Sequence, residues 1–179
     1  MKLLKREFVT LFIFVFFILM GSISFATYQS AVVDEQKTKQ EIEKMLIQTV
    51  ELKEEEKETL ELVNQYRMQN GLKKLKPLEN LQQVAKLKAQ DIVNNNYFSH
   101  NSEKLGTPFE MLNNAGVKYK IAGENLAGST TPKKAVEAWI ASEAHEANIL
   151  TVDYEYTGIC VMQSPVYGKI FVQLFMGMN

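Results

Sequence analysis

The sequence has very little cysteine and no excess of charge of either sign. Its single cysteine, Cys160, cannot form an intramolecular disulfide or a cysteine-based zinc cluster. Its 20 lysines and arginines stand against 21 acidic residues, and the net charge of -1 provides no broad basic surface for a phosphate backbone. These shortages exclude a disulfide-stapled fold and argue against nucleic acid as a partner, so packing must stabilise the fold.

What is present is enough for one folded domain. The chain has 179 residues, of which 46% are hydrophobic and 23% charged, close to the average for a soluble globular protein. A single hydrophobic core takes on the order of 100 to 200 residues. The length therefore predicts one domain and leaves no room for a second catalytic domain.

The N-terminus has the pattern of an export signal. Three basic residues precede an almost unbroken apolar run over residues 8 to 20. Small residues before position 27 suit signal-peptidase cleavage, which would remove residues 1 to 26. Without cleavage, residues 8 to 25 are long enough to span a bilayer. Either alternative places the rest of the chain outside the cytoplasm, secreted or anchored, and the N-terminal segment is the only expected contact with the membrane.

Residues 27 to 57 are expected to form a charged helical stalk. Between residues 34 and 61 the sequence has ten acidic residues, five lysines and neither proline nor glycine, with apolar residues only at helical intervals. A solvated tether is favoured over a short coiled coil, because the apolar repeat covers fewer than three clean heptads.

Residues 58 to 179 have the patterns of a domain that mixes helices and strands. Apolar residues at helical spacing predict four helices, of which the last is long, begins at Lys133 and has Val136, Trp139, Ile140 and Ala147 on one face. Residues 156 to 162 and 169 to 176 are rich in Ile, Val, Phe and Tyr and predict a β-hairpin. Because both strands are apolar on both faces, helices should lie on each side of the sheet. The predicted fold class is α+β, a three-layer α-β-α sandwich with a central antiparallel sheet.

Few polar residues of this domain could carry chemistry. His100 and His145 are the only histidines of the chain, and each is expected just beyond the end of a helix, outside any apolar stripe. Glu124 lies in an otherwise apolar stretch, where a buried carboxylate needs a partner. Glu143 would share a face with apolar residues on an ideal helix. Two histidines with one or two glutamates are the ligand types of a divalent zinc site, which keeps an open position if only three of them bind.

Four separated motifs resemble one protein family. They are Tyr-Phe-Ser-His at residues 97–100, Gly-Glu-Asn-Leu at 123–126, Trp-x-x-Ser-x-x-His-x-x-Asn-Ile-Leu at 139–150 and Gly-Ile at 158–159. In this order they are similar to the CAP superfamily, which unites cysteine-rich secretory proteins, antigen 5 and group 1 pathogenesis-related proteins. The similarity is greatest to the bacterial members, often called SCP domains, and the lack of disulfide cysteines fits that branch.

The resemblance implies an α-β-α sandwich whose central cavity is lined by His100, Glu124 and His145. These three residues are the metal ligands that it implies, and Zn or another divalent metal is the implied cofactor. Many eukaryotic members have a second glutamate after the tryptophan helix, and Glu143 is the nearest candidate for it here.

The family implies no single reaction, so three functions remain open. The favoured one is an extracytoplasmic binding module whose cavity holds a divalent metal or a small ligand, because polar groups that converge in a cleft usually mark a site. The second is a structural or interaction domain whose polar network binds nothing. The third is a metal-dependent hydrolase in which Glu124 or Glu143 acts as a base. The expected partner is a small ligand or a component of the cell surface or cell wall.

Overall fold

A computed structural model of the protein describes residues 50–178, together with Gln29, Val32, Val33 and Gln36. The predicted signal segment, residues 1 to 26, and most of the predicted stalk lie outside the described residues. The chain divides into two compact units, Met1–Met45 and Leu46–Asn179. Within the described part of the chain, no helix combines the length and the apolar character needed to cross a membrane.

The described part of the second unit contains five helices and four strands. The helices are α1 (Glu54–Gln69), α2 (Glu79–Asn95), α3 (Pro108–Asn114), α4 (Pro132–Ile140) and α5 (Glu143–Leu150). The strands are β1 (Lys76–Pro77), β2 (Ile121–Ser129), β3 (Tyr156–Ser164) and β4 (Gly168–Gly177). Helices α3 and α4 each begin with a proline behind a threonine cap, Thr107 and Thr131, as their sequences predict.

The four strands form one sheet in the order β1-β3-β4-β2. Strands β3 and β4 form the predicted hairpin, and the edge strand β2 pairs antiparallel with β4. The prediction of an antiparallel sheet is wrong at β1, which pairs parallel with β3. This strand stays short because α2 begins directly after Leu78, whose N–H donates the last hydrogen bond to β3, at the carbonyl oxygen of Thr157.

Helices cover both faces of this sheet. On one face, α2 and α3 pack against alternate residues of β4: Ile170, Val172, Leu174 and Met176. On the other face, Trp139 of α4 belongs to the core that α1 and α5 form with Phe171 and Phe175. Cys160 is buried in the first core, and burial raises the pKa of its thiol to about 12, so it is an inert apolar side chain. The chain thus has two cores separated by the sheet, which is the layering predicted from its apolar strands.

The predicted long last helix is two helices. Helix α4 ends at Ile140, and Ser142 has an extended backbone conformation as the N-cap of α5. Its hydroxyl lies 2.9 Å from Nδ1 of His145, and such local contacts of serine compete with a continuous helix. The single-helix prediction is therefore wrong. His145 lies in the first turn of α5 instead of beyond a helix, and the helix face expected to join Glu143 to Ile140 does not exist.

Helix α1 begins four residues before the expected boundary of the domain at residue 58. Glu56, which the sequence places in the stalk, is buried. Its carboxylate accepts hydrogen bonds from the Gln82 amide on α2 and from the Val161 N–H on β3. These partners satisfy the buried carboxylate, so the packed domain includes the chain from Glu54 onward.

Candidate functional site

His100 lies in the loop that follows α2. The helix ends at Asn95, and its C-cap, Asn96, has the left-handed backbone conformation (φ 51°) that asparagine tolerates better than most residues. The ammonium group of Lys88, on α2, donates a hydrogen bond of 2.7 Å to the carbonyl oxygen of His100. The His100 side chain itself is 51% exposed, so the residue stands at the surface of the domain.

Glu124 comes from the edge strand β2, and its side chain is only 3% exposed. Its Oε1 atom lies 2.7 Å from Nδ1 of His100, whereas Oε2 is buried and has no hydrogen-bond partner among the described residues. Burial raises the pKa of Glu124, although the hydrogen bond from His100 and the charge on Lys88 act in the opposite direction. The strand thus presents a carboxylate with one satisfied oxygen and one unsatisfied oxygen.

His145 approaches His100 from α5. The centroids of the two imidazole rings are 6.3 Å apart, and the rings are inclined at 41°. Burial lowers the pKa of His145, and the proximity of His100 lowers it further. The neutral form of the His145 imidazole is therefore favoured near neutral pH.

Two asparagines hold α5 against the edge of β2. Asn125 donates to the carbonyl oxygen of His145 at 3.0 Å. Asn148 donates to the carbonyl oxygen of Glu124 at 3.1 Å and to the amide oxygen of Asn125 at 2.9 Å. These hydrogen bonds join β2 directly to α5. They therefore set the distance between the backbones of Glu124 and His145.

Gly123 makes this approach possible. A Cβ atom at this position would lie 2.5 Å from the Tyr154 hydroxyl and 2.9 Å from Oδ1 of Asn148. Both distances are shorter than real side chains allow, so any larger residue would displace Asn148 or Tyr154. The Gly-Glu-Asn motif therefore combines the carboxylate, the space beside it and the amide that binds α5.

The structure brings His100, Glu124 and His145 together and leaves Glu143 outside. Glu143 is the first residue of α5, is exposed, and makes no hydrogen bond with the other three. Sequence reasoning assigned no role to Lys88. Its signal was present, because Lys88 falls between Ala85 and Ile92 on the buried face of α2, where a lysine needs a special reason.

The ring spacing of the two histidines is close to that of a pair of zinc ligands. Nδ1 of each ring is already hydrogen-bonded, so Nε2 is the nitrogen left for a ligand bond. Two imidazoles on one tetrahedral zinc, each at about 2 Å, have ring centroids about 5 to 5.5 Å apart, so the observed 6.3 Å is about 1 Å wider and one ring must shift for both to bind. Among the described residues, no three His, Cys, Asp or Glu side chains are grouped so that they could hold an ion. The donor set fits two protein nitrogens plus exchangeable ligands, and it does not fit a closed structural site.

Comparison with known proteins gives a consistent family assignment. A family model described as CAP, the cysteine-rich secretory protein family, matches residues 60–175. The chain is 42% identical over 123 residues to YkwD of Bacillus subtilis (strain 168), which covers 68% of this chain and 47% of YkwD. It is 38% identical over 107 residues to the membrane protein YlbC of the same strain, covering 59% of this chain and 31% of YlbC. The chain therefore matches less than half the length of either relative.

Two solved structures have the same fold. An extracellular protein containing an SCP domain, from Bacillus anthracis str. Ames, is 31% identical with a TM-score of 0.63, over 69% of this chain and 40% of that protein. NaASP2, whose crystal structure is with Zn2+, has a TM-score of 0.52 at 14% identity, over 73% of this chain and 87% of NaASP2. The likeness to NaASP2 is one of fold alone.

Proposed function

The chain belongs to the cysteine-rich secretory protein (CAP) family, and on this premise we propose that it is an extracytoplasmic binding module that holds a divalent metal ion. His100 and His145 are the protein ligands, each through Nε2, and Glu124 orients His100 instead of binding the ion. Zinc is the ion that suits this pair best, because it readily takes neutral imidazole ligands and keeps an open position where protein ligands are few.

One hydrogen bond carries this proposal. Because an ionised carboxylate can only accept, the short contact between Glu124 and His100 puts the hydrogen on Nδ1 and the lone pair on Nε2. A carboxylate bound to the far nitrogen is the usual partner of a metal-binding histidine, since it fixes the tautomer and raises the basicity of the ligand. A bound ion would supply positive charge and Lewis acidity, with which a small ligand could fill the remaining positions.

Features of this chain and of its relatives support parts of the proposal. The SCP-domain protein of B. anthracis is extracellular, and the N-terminus of this chain has the basic and apolar pattern that is typical of an export signal. The crystal structure of NaASP2 is with Zn2+, so another protein of this fold has been seen with that ion.

A polar brace is the second candidate. The same 2.7 Å contact between His100 and Glu124 would satisfy a buried carboxylate without any ion, and the absence of a third ligand group among the described residues favours this alternative. The hydrolase alternative has less support, because Glu124 is bonded to His100 and Glu143 is exposed, so neither carboxylate is free and close enough to serve as a base.

Zinc titration by calorimetry separates the first two candidates. We expect the full-length protein, purified in detergent micelles, to bind one zinc ion, and His100→Ala and His145→Ala each to abolish that binding. Glu143→Gln is the matched control, because it removes a carboxylate two residues from His145 that makes no contact with the site. Wild-type protein without zinc affinity, or a double histidine variant that binds as well as wild type, would contradict the proposal.

A further inference from the structure

The loop that carries His100 is tied to one helix at three points. Lys88 donates hydrogen bonds to the Tyr97 hydroxyl at 3.0 Å and to the His100 carbonyl oxygen at 2.7 Å. Asp91, one turn further along α2, accepts from the Tyr97 hydroxyl and from the Ser102 hydroxyl, each at 2.6 Å. The loop is thus fixed three residues before His100, at His100 itself and two residues after it.

Lys88 is an unusual choice for such an anchor. The residue is fully buried, and its ammonium group lies 5.0 Å from the centroid of the Tyr97 ring. It forms no salt bridge with any described carboxylate, although the charges of Glu124 and Asp91 are near enough to stabilise its charged form against burial. Burying an ammonium group is costly unless its hydrogen bonds are used. Here they are used on the backbone of His100 and on its neighbour Tyr97.

We propose that Lys88 is a positioning residue that holds His100 against Glu124. Half of the His100 side chain is exposed, so packing does not fix it. Among the described residues, its ties to the domain are the carbonyl contact with Lys88 and the ring contact with Glu124. The first contact sets where the backbone of His100 lies, and the second can form only if that backbone is in place.

This inference rests on the proposed function only for its effect on metal binding. The His100 to Glu124 hydrogen bond exists without an ion, so the position of His100 can be tested in EDTA. Nitrogen NMR of the histidine side chains reports which ring nitrogen carries the hydrogen, and a held His100 should be a single tautomer with hydrogen on Nδ1.

The test compares Lys88→Met, which keeps the length of the side chain and removes the donor, with Asn64→Ala. Asn64 is buried in α1 and exchanges two hydrogen bonds with Leu75, so its loss destabilises the domain without touching His100. In EDTA, we expect Lys88→Met to give mixed tautomers of His100 and Asn64→Ala to keep the wild-type signal. The zinc affinity should fall about ten- to a hundredfold in Lys88→Met and stay unchanged in Asn64→Ala.

The outcomes separate the two proposals. An unchanged His100 tautomer and unchanged zinc affinity in folded Lys88→Met would overturn the positioning role. Mixed tautomers in Lys88→Met, with a wild type that does not bind zinc, would support the positioning role and contradict the metal site. Lys88→Met could fail to fold because Asp91 loses the nearby positive charge. In that case the double variant Lys88→Met/Asp91→Asn removes both charges, and Asp91→Asn alone is its control. The His100 tautomer and the zinc affinity of these two variants then decide between the outcomes.

Discussion

Glu124 meets His100 through one carboxylate oxygen only. Oε1 lies 2.7 Å from Nδ1 of His100, whereas Oε2 is buried without a hydrogen-bond partner in the described part of the chain. Burial raises the pKa of Glu124 in the folded protein. A carboxyl group with a raised pKa destabilises the folded state once it is ionised. The arrangement therefore lowers stability at neutral pH, because the hydrogen bond from His100 and the charge on Lys88 offset the cost of burial only in part.

Glu124→Gln should remove this cost while it keeps the shape of the side chain. Near pH 7.5 in EDTA, we expect the variant to unfold at the same temperature as wild type or higher. The stability of wild type falls as the pH rises through the raised pKa of Glu124, so the difference should vanish below about pH 4, where the group is protonated in both states. Thermal unfolding, monitored by circular dichroism, measures the difference in melting temperature between wild type and the variant. A variant that is less stable than wild type near pH 7.5 would favour the polar brace.

The zinc response should depend on the two histidines and on pH. Metal ligation requires neutral imidazole, so zinc should raise the melting temperature of wild type near pH 7.5 and lose this effect as the pH falls through about 6. The variant His100→Ala/His145→Ala should stay folded without a zinc response. If the histidines only brace Glu124, their removal should cost on the order of 1 to 3 kcal/mol with or without zinc. Differential scanning calorimetry with and without zinc gives both quantities.

Two glycines should respond differently to alanine because of what surrounds them. A Cβ on Gly158 would lie 2.2 Å from the backbone carbonyl carbon of Leu81, on α2, which cannot move away. Gly158→Ala should cost about 3 kcal/mol or prevent folding. Gly123→Ala meets the side-chain ends of Asn148 and Tyr154, so it should cost less stability but weaken zinc binding. Urea unfolding and zinc titration of both variants check this, and a Gly158→Ala protein as stable as wild type would refute it.

Arg67 should be essential for stability although it has no carboxylate partner among the described residues. Its buried guanidinium donates to four backbone carbonyl oxygens, those of Lys73, Ile149, Thr151 and Tyr154. Arg67→Met would leave these oxygens unpaired and should lower the free energy of unfolding by about 3 kcal/mol or more. Arg67→Lys should rescue little of it, because a single ammonium group cannot reach four acceptors. Urea unfolding at pH 7 provides the measurement.

The export prediction can be tested on whole cells. The basic residues and the apolar run at the N-terminus predict that the chain from residue 34 onward faces outward. Protease added to cells stripped of their wall should digest this part of the protein, while a cytoplasmic marker protein stays intact. Protection of the chain until the cells are lysed would contradict the predicted topology.

The sequence was informative where a residue stood out from its surroundings. Two isolated histidines and one carboxylate in an apolar stretch indicated a shared site, and in the structure His100 contacts Glu124 while its ring centroid lies 6.3 Å from that of His145. The sequence was misleading where a local side-chain contact determines the conformation of the backbone. The apolar spacing from Val136 to Ala147 continues through Ser142, but the hydroxyl of that serine binds His145 and the helix breaks there.

Two other features could not be predicted for a different reason. Strand β2 contains Gly123, Glu124 and Asn125, residue types that are rare in strands, and the tertiary contacts of the site hold them in the sheet. The buried face of α2 marks Lys88 as unusual, but its contact with His100 could not be predicted, because only the path of the loop shows which backbone atoms its ammonium group meets.

The two histidines lie beside the edge strand β2 and are held by helices on opposite faces of the sheet, and this placement has a consequence for how the domain would unfold. His100 is held by α2, which belongs to one core, whereas His145 is carried by α5, which belongs to the other. An ion between these two rings would act as a reversible cross-link around the edge of the sheet, in a chain whose single cysteine cannot provide a covalent one. Ligand occupancy would then couple the local opening of the two helical layers, so that amide hydrogens on both sides exchange as one cooperative unit.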